Sequence, residues 1–220
     1  MKTLLIIAII TTPFFILFPE VDIWFSGLFY DDSFGFIYQE HFGPKAIYNF
    51  VEILSTSLSI FLILSLVIRK VFGSKYFLNY RQTIFLIAAL SLGPGVIVHN
   101  VFKDNWGRAR PINITEFGGV KKFTPAWIIS DQGEKSFMSG HASPGFFLSA
   151  FAFVVAATNL QKLIYIGGIF AGTLFGLGRI LQGKHYLSDV VFSGIIVLLV
   201  IHILAMIILK KPSLSSQKLS

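Results

Sequence analysis

Six long apolar runs constrain this chain more than any other feature. An α-helix needs about 20 predominantly apolar residues to cross the hydrocarbon core of a bilayer. Lipid offers no partner for backbone N–H and C=O groups, so a helix that bonds its own backbone is the favoured solution. The runs predict an all-α, polytopic membrane protein with six transmembrane helices. Only 13% of the 220 residues are charged, against roughly 25% in a soluble domain. A single domain is expected over residues 1 to 210, with residues 211 to 220 left as a polar cytoplasmic tail. There is no cysteine, which excludes a disulfide framework and a cysteine metal site.

The first run covers residues 3 to 18 and is expected to continue to about Trp24, with a kink at Pro13. No small-x-small cleavage site follows it, so it reads as a helix rather than a removed signal. The second covers residues 47 to 70, and the third residues 82 to 102 with Gly93-Pro94-Gly95 at its middle. That triplet breaks the helical hydrogen-bond ladder, which lipid tolerates only where protein covers the gap. The fourth, fifth and sixth cover residues 144 to 158, 162 to 180 and 185 to 209. Glycines at 167, 168, 172, 176 and 178 give the fifth the small-xxx-small spacings that let helices approach closely.

Six spans put both termini on one side. That side carries Lys2, the 69–81 loop, Lys162 and the tail, with 9 of the 18 Lys and Arg and none of the 11 Asp and Glu. The positive-inside rule then places the termini in the cytoplasm. The net charge of +7 is thereby assigned to anchoring and to anionic lipid rather than to a nucleic-acid partner. Segments 19–46, 103–143 and 180–184 face outward. The first of these mixes aromatics with acids and reads as an interfacial hairpin or a lid over a site.

Three polar islands remain, all at the same membrane edge: KDNWGRARP (103–111), SFMSGHASPG (136–145) and GRILQGKHYLSD (178–189). Lys103, Arg110 and Arg179 suit the non-bridging oxygens of a phosphate, because guanidinium can grip two at once. Backbone N–H groups of Ser139, Gly140 and His141, at the start of the fourth helix, favour an anion, and the Ser139 hydroxyl adds a donor. His185 and Asp189 are spaced i,i+4, which stacks them on one helix face. A carboxylate on one ring nitrogen fixes the tautomer and frees the other nitrogen as nucleophile or base. His141 is then available as acid for the leaving alkoxide. Arg108, Lys121, Lys122 and Lys184 would extend positive potential toward a second phosphate or acidic sugar on the substrate. Two histidines and an aspartate could ligate zinc, but the surrounding cations would repel it, so no metal is expected.

These islands resemble the signature of the type 2 phosphatidic acid phosphatase family: Lys103, six residues, Arg110-Pro111; Ser139-Gly140-His141; and Arg179, five residues, His185, three residues, Asp189. The resemblance implies that His185 is the nucleophile, Asp189 its orienting partner and His141 the leaving-group acid. Lys103, Arg110, Ser139, Gly140 and Arg179 would be phosphate ligands, and no metal or other cofactor would be needed. Met138 stands where the family usually has proline, and Gly178 where it has serine. The first would loosen the turn before Ser139 and the second would remove a hydroxyl donor.

The flanking stretches FTPAWIIS and LFPEVDIWFSGLFYDD are similar to those of bacterial lipid A phosphatases, which act on the 1- or 4'-phosphate. That likeness implies a Gram-negative inner membrane, a periplasmic site and a phosphorylated membrane lipid as partner. Phosphatases of undecaprenyl diphosphate or phosphatidylglycerophosphate share the same core signature and stay open. A transporter would show an inverted repeat and charges near the bilayer midplane, neither of which is visible. A non-catalytic lipid-binding protein would explain the cations but not the paired histidines.

Overall fold

Pro19 decides where the first helix ends. A proline disfavours helical geometry in the residue before it, and Phe18 has φ −126° and ψ 59°, so α1 (Lys2–Leu17) stops there. Helix α2 (Glu20–Gly27) leaves at 85° to it. The expected unbroken helix to Trp24 is therefore corrected: the chain turns sharply and carries Asp22 into the protein interior. A small antiparallel hairpin follows, β1 (Tyr30–Asp31) against β2 (Gly35–Phe36). Asp31 Oδ1 accepts the Ser33 N–H at 2.8 Å to close its turn.

The computed structural model describes residues 1–72 and 78–210. The expected tail, and the 73–77 part of the 69–81 loop, lie outside the described residues. Helix α3 (Phe42–Phe72) is the longest element. Helix α4 (Tyr80–Leu90) starts on a capping box in which Asn79 and Gln82 satisfy each other's backbone N–H groups. It then widens into a π-helix, Ser91–Lys103, across the Gly93-Pro94-Gly95 triplet. The ladder is thus re-registered rather than broken, since a wider turn accommodates the missing proline N–H. Gly93 and Pro94 are buried, with Val197 against Gly93.

Helix α5 (Ala142–Phe147) continues as a 3-10 turn, Leu148–Phe153. At 12 residues it falls short of a span, which corrects the expected fourth run. Every residue from Ala142 to Phe147 is buried, as expected of a helix apolar on all sides. Helix α6 (Thr158–Leu181) crosses it at bare backbone, where a Cβ on Gly172 would collide with Phe146 and one on Gly168 with Ser149. Gly167 faces open space, so not every glycine in that run serves close approach. Helix α7 (Leu187–Leu204) ends in a π turn, Ala205–Leu209.

Among the described residues four helices are long and apolar enough to cross a membrane, or five if the bent α1–α2 pair is one span. Ile9 of α1, Ile63 of α3 and Phe170 of α6 are all more than 60% exposed; such outward apolar faces need lipid around them. The protein is therefore a helical membrane protein.

Two devices bring the polar islands together. Backbone bonds tie the first to the second: Ser130 N–H to Trp106 O at 2.8 Å, then Glu134 to Gly107 and Ser136 to Arg108, each at 3.2 Å. An aromatic cluster then seats both on α7, with Trp127 edge-on to Phe192 at 4.9 Å and Phe137 to Trp127 at 5.3 Å. Such pairs contribute about 0.5–1.5 kcal/mol each beyond area burial.

Candidate active site

Asp189 sits in the first turn of α7, fully buried, and accepts from every side. Tyr186 N–H reaches its Oδ2 at 2.8 Å and Ser136 Oγ–H at 2.6 Å, while Arg108 Nη1 holds Oδ1 at 2.6 Å. His185 Nδ1 lies 3.4 Å from Oδ2, an ion-pair distance rather than an aligned hydrogen bond. The carboxylate is fixed first by the other three donors, and the imidazole rests beside it.

Arg108 corrects the sequence reading. Expected at the surface near a substrate headgroup, it is fully buried between two carboxylates. Its Nη2 binds Asp22 Oδ2 at 2.8 Å, its Nη1 also reaches Ser188 Oγ at 2.9 Å, and its Nε donates to the Thr124 carbonyl at 2.7 Å. The guanidinium lies 4.1 Å from the Tyr186 ring centroid. Burial opposes its charge, but Asp189 and Asp22 outweigh burial and hold its pKa above the usual arginine value. Ser188 closes the loop through its N–H to Asp22 Oδ1 at 2.9 Å and its hydroxyl to Oδ2.

The Ser139-Gly140-His141 turn is held on α7. Ser139 N–H donates to the Asp189 carbonyl at 3.1 Å, and Ser193 Oγ–H to the Ser139 carbonyl at 2.9 Å. The turn is therefore not loosened at Met138, which is itself fully buried in the core. The same bond takes the Ser139 N–H out of the set expected for an anion. At Gly178 an added Cβ would only touch Ile47 at 3.4 Å.

Gly140 is a contact point. A Cβ there would stand 2.5 Å from His99 Nε2 and 3.1 Å from Lys103 Nζ, so the Lys103 ammonium lies against bare backbone. His141 stacks on Tyr48 of α3, with centroids 4.5 Å apart and planes at 27°. The Arg179 guanidinium lies over that same ring at 4.8 Å. Arg179 Nη1 donates to Gln182 Oε1 at 2.5 Å, but its Nε, like that of Arg110, makes no hydrogen bond. The charge of Arg110, whose Nε lies 4.0 Å from Glu134, also acts on Lys103 and Arg179, and His185 acts on His141, so these five side chains share one place.

Lys184 stands at the edge of this group, its pKa lowered by partial burial and by Arg110 and Arg179. Lys121 is engaged elsewhere, with the Gln132 carbonyl at 2.6 Å and Glu134 at 3.3 Å, and Lys122 is exposed. Among the described residues no three His, Cys, Asp or Glu side chains are grouped to hold a metal.

Burial depresses both histidines. His185 falls to about 4, with burial outweighing the pull of Asp189. His141 falls to about 3 through burial and then the charges of Arg179, His185 and Lys103. At neutral pH both rings are neutral, and an unfolded chain would bind more protons below the ordinary value of 6.5. Stability is therefore full above about pH 6.5 and is lost as pH falls toward 4, by up to about 1.4 kcal/mol per histidine per unit. Unfolding midpoints in detergent between pH 7.5 and 4.5 check this: the wild type should fall steadily, and His141→Asn should flatten the slope. An equal slope in that variant would count against the assignment.

Sequence reasoning missed Asp22, Ser136, Ser188, Tyr48 and His99. An acid inside the apolar stretch VDIWFSGLF was a signal for Asp22, because carboxylates in such surroundings usually have a partner. Tyr48 gave none.

Clustered cations, two neutral histidines and a clamped carboxylate beside membrane-crossing helices define a phosphate-handling membrane protein. Residues 84–212 match the PAP2 superfamily. The chain is 40% identical over 190 residues to a lipid A 4'-phosphatase of Francisella tularensis subsp. novicida, covering 84% of each chain. It is 34% identical over 110 residues to a lipid A 4'-phosphatase of Rhizobium leguminosarum, covering 49% of this chain and 46% of that one. No solved structure matches significantly. The chain belongs to the PAP2 superfamily and is a lipid phosphatase.

Proposed function

We propose that this protein removes the 4'-phosphate of lipid A by way of a phosphohistidine. The observation that carries the mechanism is the convergence of His141 and His185 on the Lys103–Gly140–Arg179 cluster, with Asp189 already fixed by Arg108. His185 Nε2 attacks phosphorus while its Nδ1 faces Asp189, and the bond from phosphorus to the sugar oxygen breaks. His141 gives its proton to the leaving alkoxide. Water then attacks the phosphohistidine, His141 takes the proton back, and inorganic phosphate leaves from His185.

His141 needs a proton for the first step, although burial and neighbouring cations hold it near 3. The phosphate itself reverses that balance. Its negative charge offsets Lys103, Arg110 and Arg179 and favours the imidazolium. Substrate and proton therefore enter together. The Gly140 backbone, the Ser139 hydroxyl and these three cations bind the phosphoryl oxygens, where charge develops in the transition state. Lys184, and more distantly the exposed Lys122, serve the rest of the headgroup.

The choice of lipid A and of its 4' position rests on the Francisella relative, whose likeness runs along most of both chains. The same reading puts the domain at residues 1 to 210 in the inner membrane, with termini cytoplasmic and the site periplasmic. The bent α1–α2 pair then counts as one crossing. The buried α5 with its 3-10 turn, too short to face lipid but enclosed by its neighbours, carries the chain back for the sixth.

Phosphate release by detergent-purified protein with EDTA present tests the proposal. The panel is hexa-acylated lipid A bisphosphate, undecaprenyl diphosphate and phosphatidylglycerophosphate. Turnover is expected to concentrate on lipid A, with mass analysis of the product placing the loss at 4'. A loss at position 1, or faster turnover of another lipid, would overturn the substrate reading.

A further inference from the structure

Beside the site, a cavity of about 550 Å³ opens between α3, the π-helical part of α4 and the start of α5. His141 and Gly140 form one end of it, and Glu52, Ser55, Thr56 and Ser59 line its α3 wall. From Tyr48, which carries His141, to Ser59 helix α3 advances about 16 Å at 1.5 Å per residue. The cavity therefore runs from the phosphate position along α3. A hydroxyl-lined wall along a membrane-crossing helix offers polar contacts that bare hydrocarbon cannot use.

The polarity of that wall has a definite sense. Ser55 Oγ–H donates to the Val51 carbonyl at 2.7 Å and Ser59 Oγ–H to the Ser55 carbonyl at 2.9 Å. On the opposite wall Ser143 Oγ–H donates to the Gly140 carbonyl at 2.8 Å. A hydroxyl has one hydrogen, so each of these side chains can offer the cavity only its lone pairs. Glu52 adds carboxylate oxygens. Thr56 and Ser91 also line the cavity and can donate as well as accept. The Ser55, Ser59 and Ser143 oxygens and the Glu52 carboxylate nevertheless make acceptors predominate, so a donor-bearing ligand matches best. Diacylglycerol phosphates and polyprenyl phosphates carry no N–H or O–H at their chain roots. An acylated aminosugar does, in its amide N–H groups and the hydroxyls of 3-hydroxyacyl chains.

We infer that this cavity binds the amide and 3-hydroxyl groups at the acyl-chain roots of an acylated aminosugar phosphate, and so selects that lipid over donor-free ones. The inference rests on the lipid A reading above and adds the means of discrimination. Exposed hydrophobic faces elsewhere on the helices meet only lipid tails, whereas these oxygens keep lone pairs that a donor can use.

The test is the Ser55→Ala/Ser59→Ala variant, assayed on lipid A bisphosphate, on an analogue lacking the 3-hydroxyls, on phosphatidic acid and on a chain-free aryl phosphate. In the variant, kcat/KM for lipid A should fall about tenfold, the scale of one or two lost hydrogen bonds. The aryl phosphate rate should stay within about twofold, since it reports the phosphate site alone. The wild type should already lose about tenfold on the deoxy analogue, and the variant should not lose that factor again. Unchanged lipid A kinetics, or an equal loss on all four substrates, overturns the cavity assignment while leaving lipid A as substrate. A wild-type preference for phosphatidic acid would instead overturn the lipid A reading and the inference with it.

Discussion

Changing His185 to alanine is expected to cut phosphate release at least about 1,000-fold, the scale seen when an enzyme loses its nucleophile. The loss should fall on kcat, because Lys103, Arg110 and Arg179 remain to bind the phosphate. His185 is 2% exposed, so the change also opens a small cavity, and the unfolding midpoint must be measured beside the rate. The mechanism gives His141→Ala a different signature. His185 could still attack, slowly, but water would meet the phosphohistidine without its base. Labelled phosphate should then accumulate on the protein in an alkali-stable, acid-labile form and be absent from the double variant. Activity that survives His185→Ala in a folded protein would end the nucleophile assignment. Label retained in the double variant would place the phosphate on another residue.

Arg108→Met should have the largest effect on stability. It leaves Asp22 and Asp189 facing each other in the interior with no cation between them. Removing one partner of a buried ion pair typically costs about 3–5 kcal/mol, and here two carboxylates lose their counter-charge. The midpoint in detergent should fall by about 10 °C or more, and activity should go with it because Asp189 loses its anchor. Charge can be told from shape by adding Asp22→Asn. That second change removes one stranded carboxylate, so the double variant should be more stable than Arg108→Met alone. In the wild-type background the same Asp22→Asn should destabilise. A double variant that simply adds the two losses would mean that packing, not charge, holds the triad.

The second polar island was legible in sequence because its residues are adjacent; the relation of Arg108 to it was not. In KDNWGRARP, Arg108 and Arg110 look alike, two positions apart in an extended stretch. Simple alternation would put residues two apart on the same face, yet Arg108 turns into the core between Asp22 and Asp189 while Arg110 stays partly exposed. Nothing local says which. The same limit applies to the fourth apolar run. Its composition fits a span, yet only its surroundings reveal that α6 and α7 enclose a 12-residue helix.

The sequence by itself determined that this is a helical membrane protein and that its polar chemistry lies in three islands with phosphatase spacing. Those are matters of transfer free energy and of residue order, which are local properties of the chain. Only the tertiary structure decided that α2 turns back at Pro19 to bring Asp22 against Arg108, 86 positions away. It also decided that Tyr48 of α3 lies under His141 and Arg179. These contacts join segments that share no pattern in sequence. A buried charge is stable only where the fold supplies its partner, so its role is fixed by packing rather than by the residues beside it.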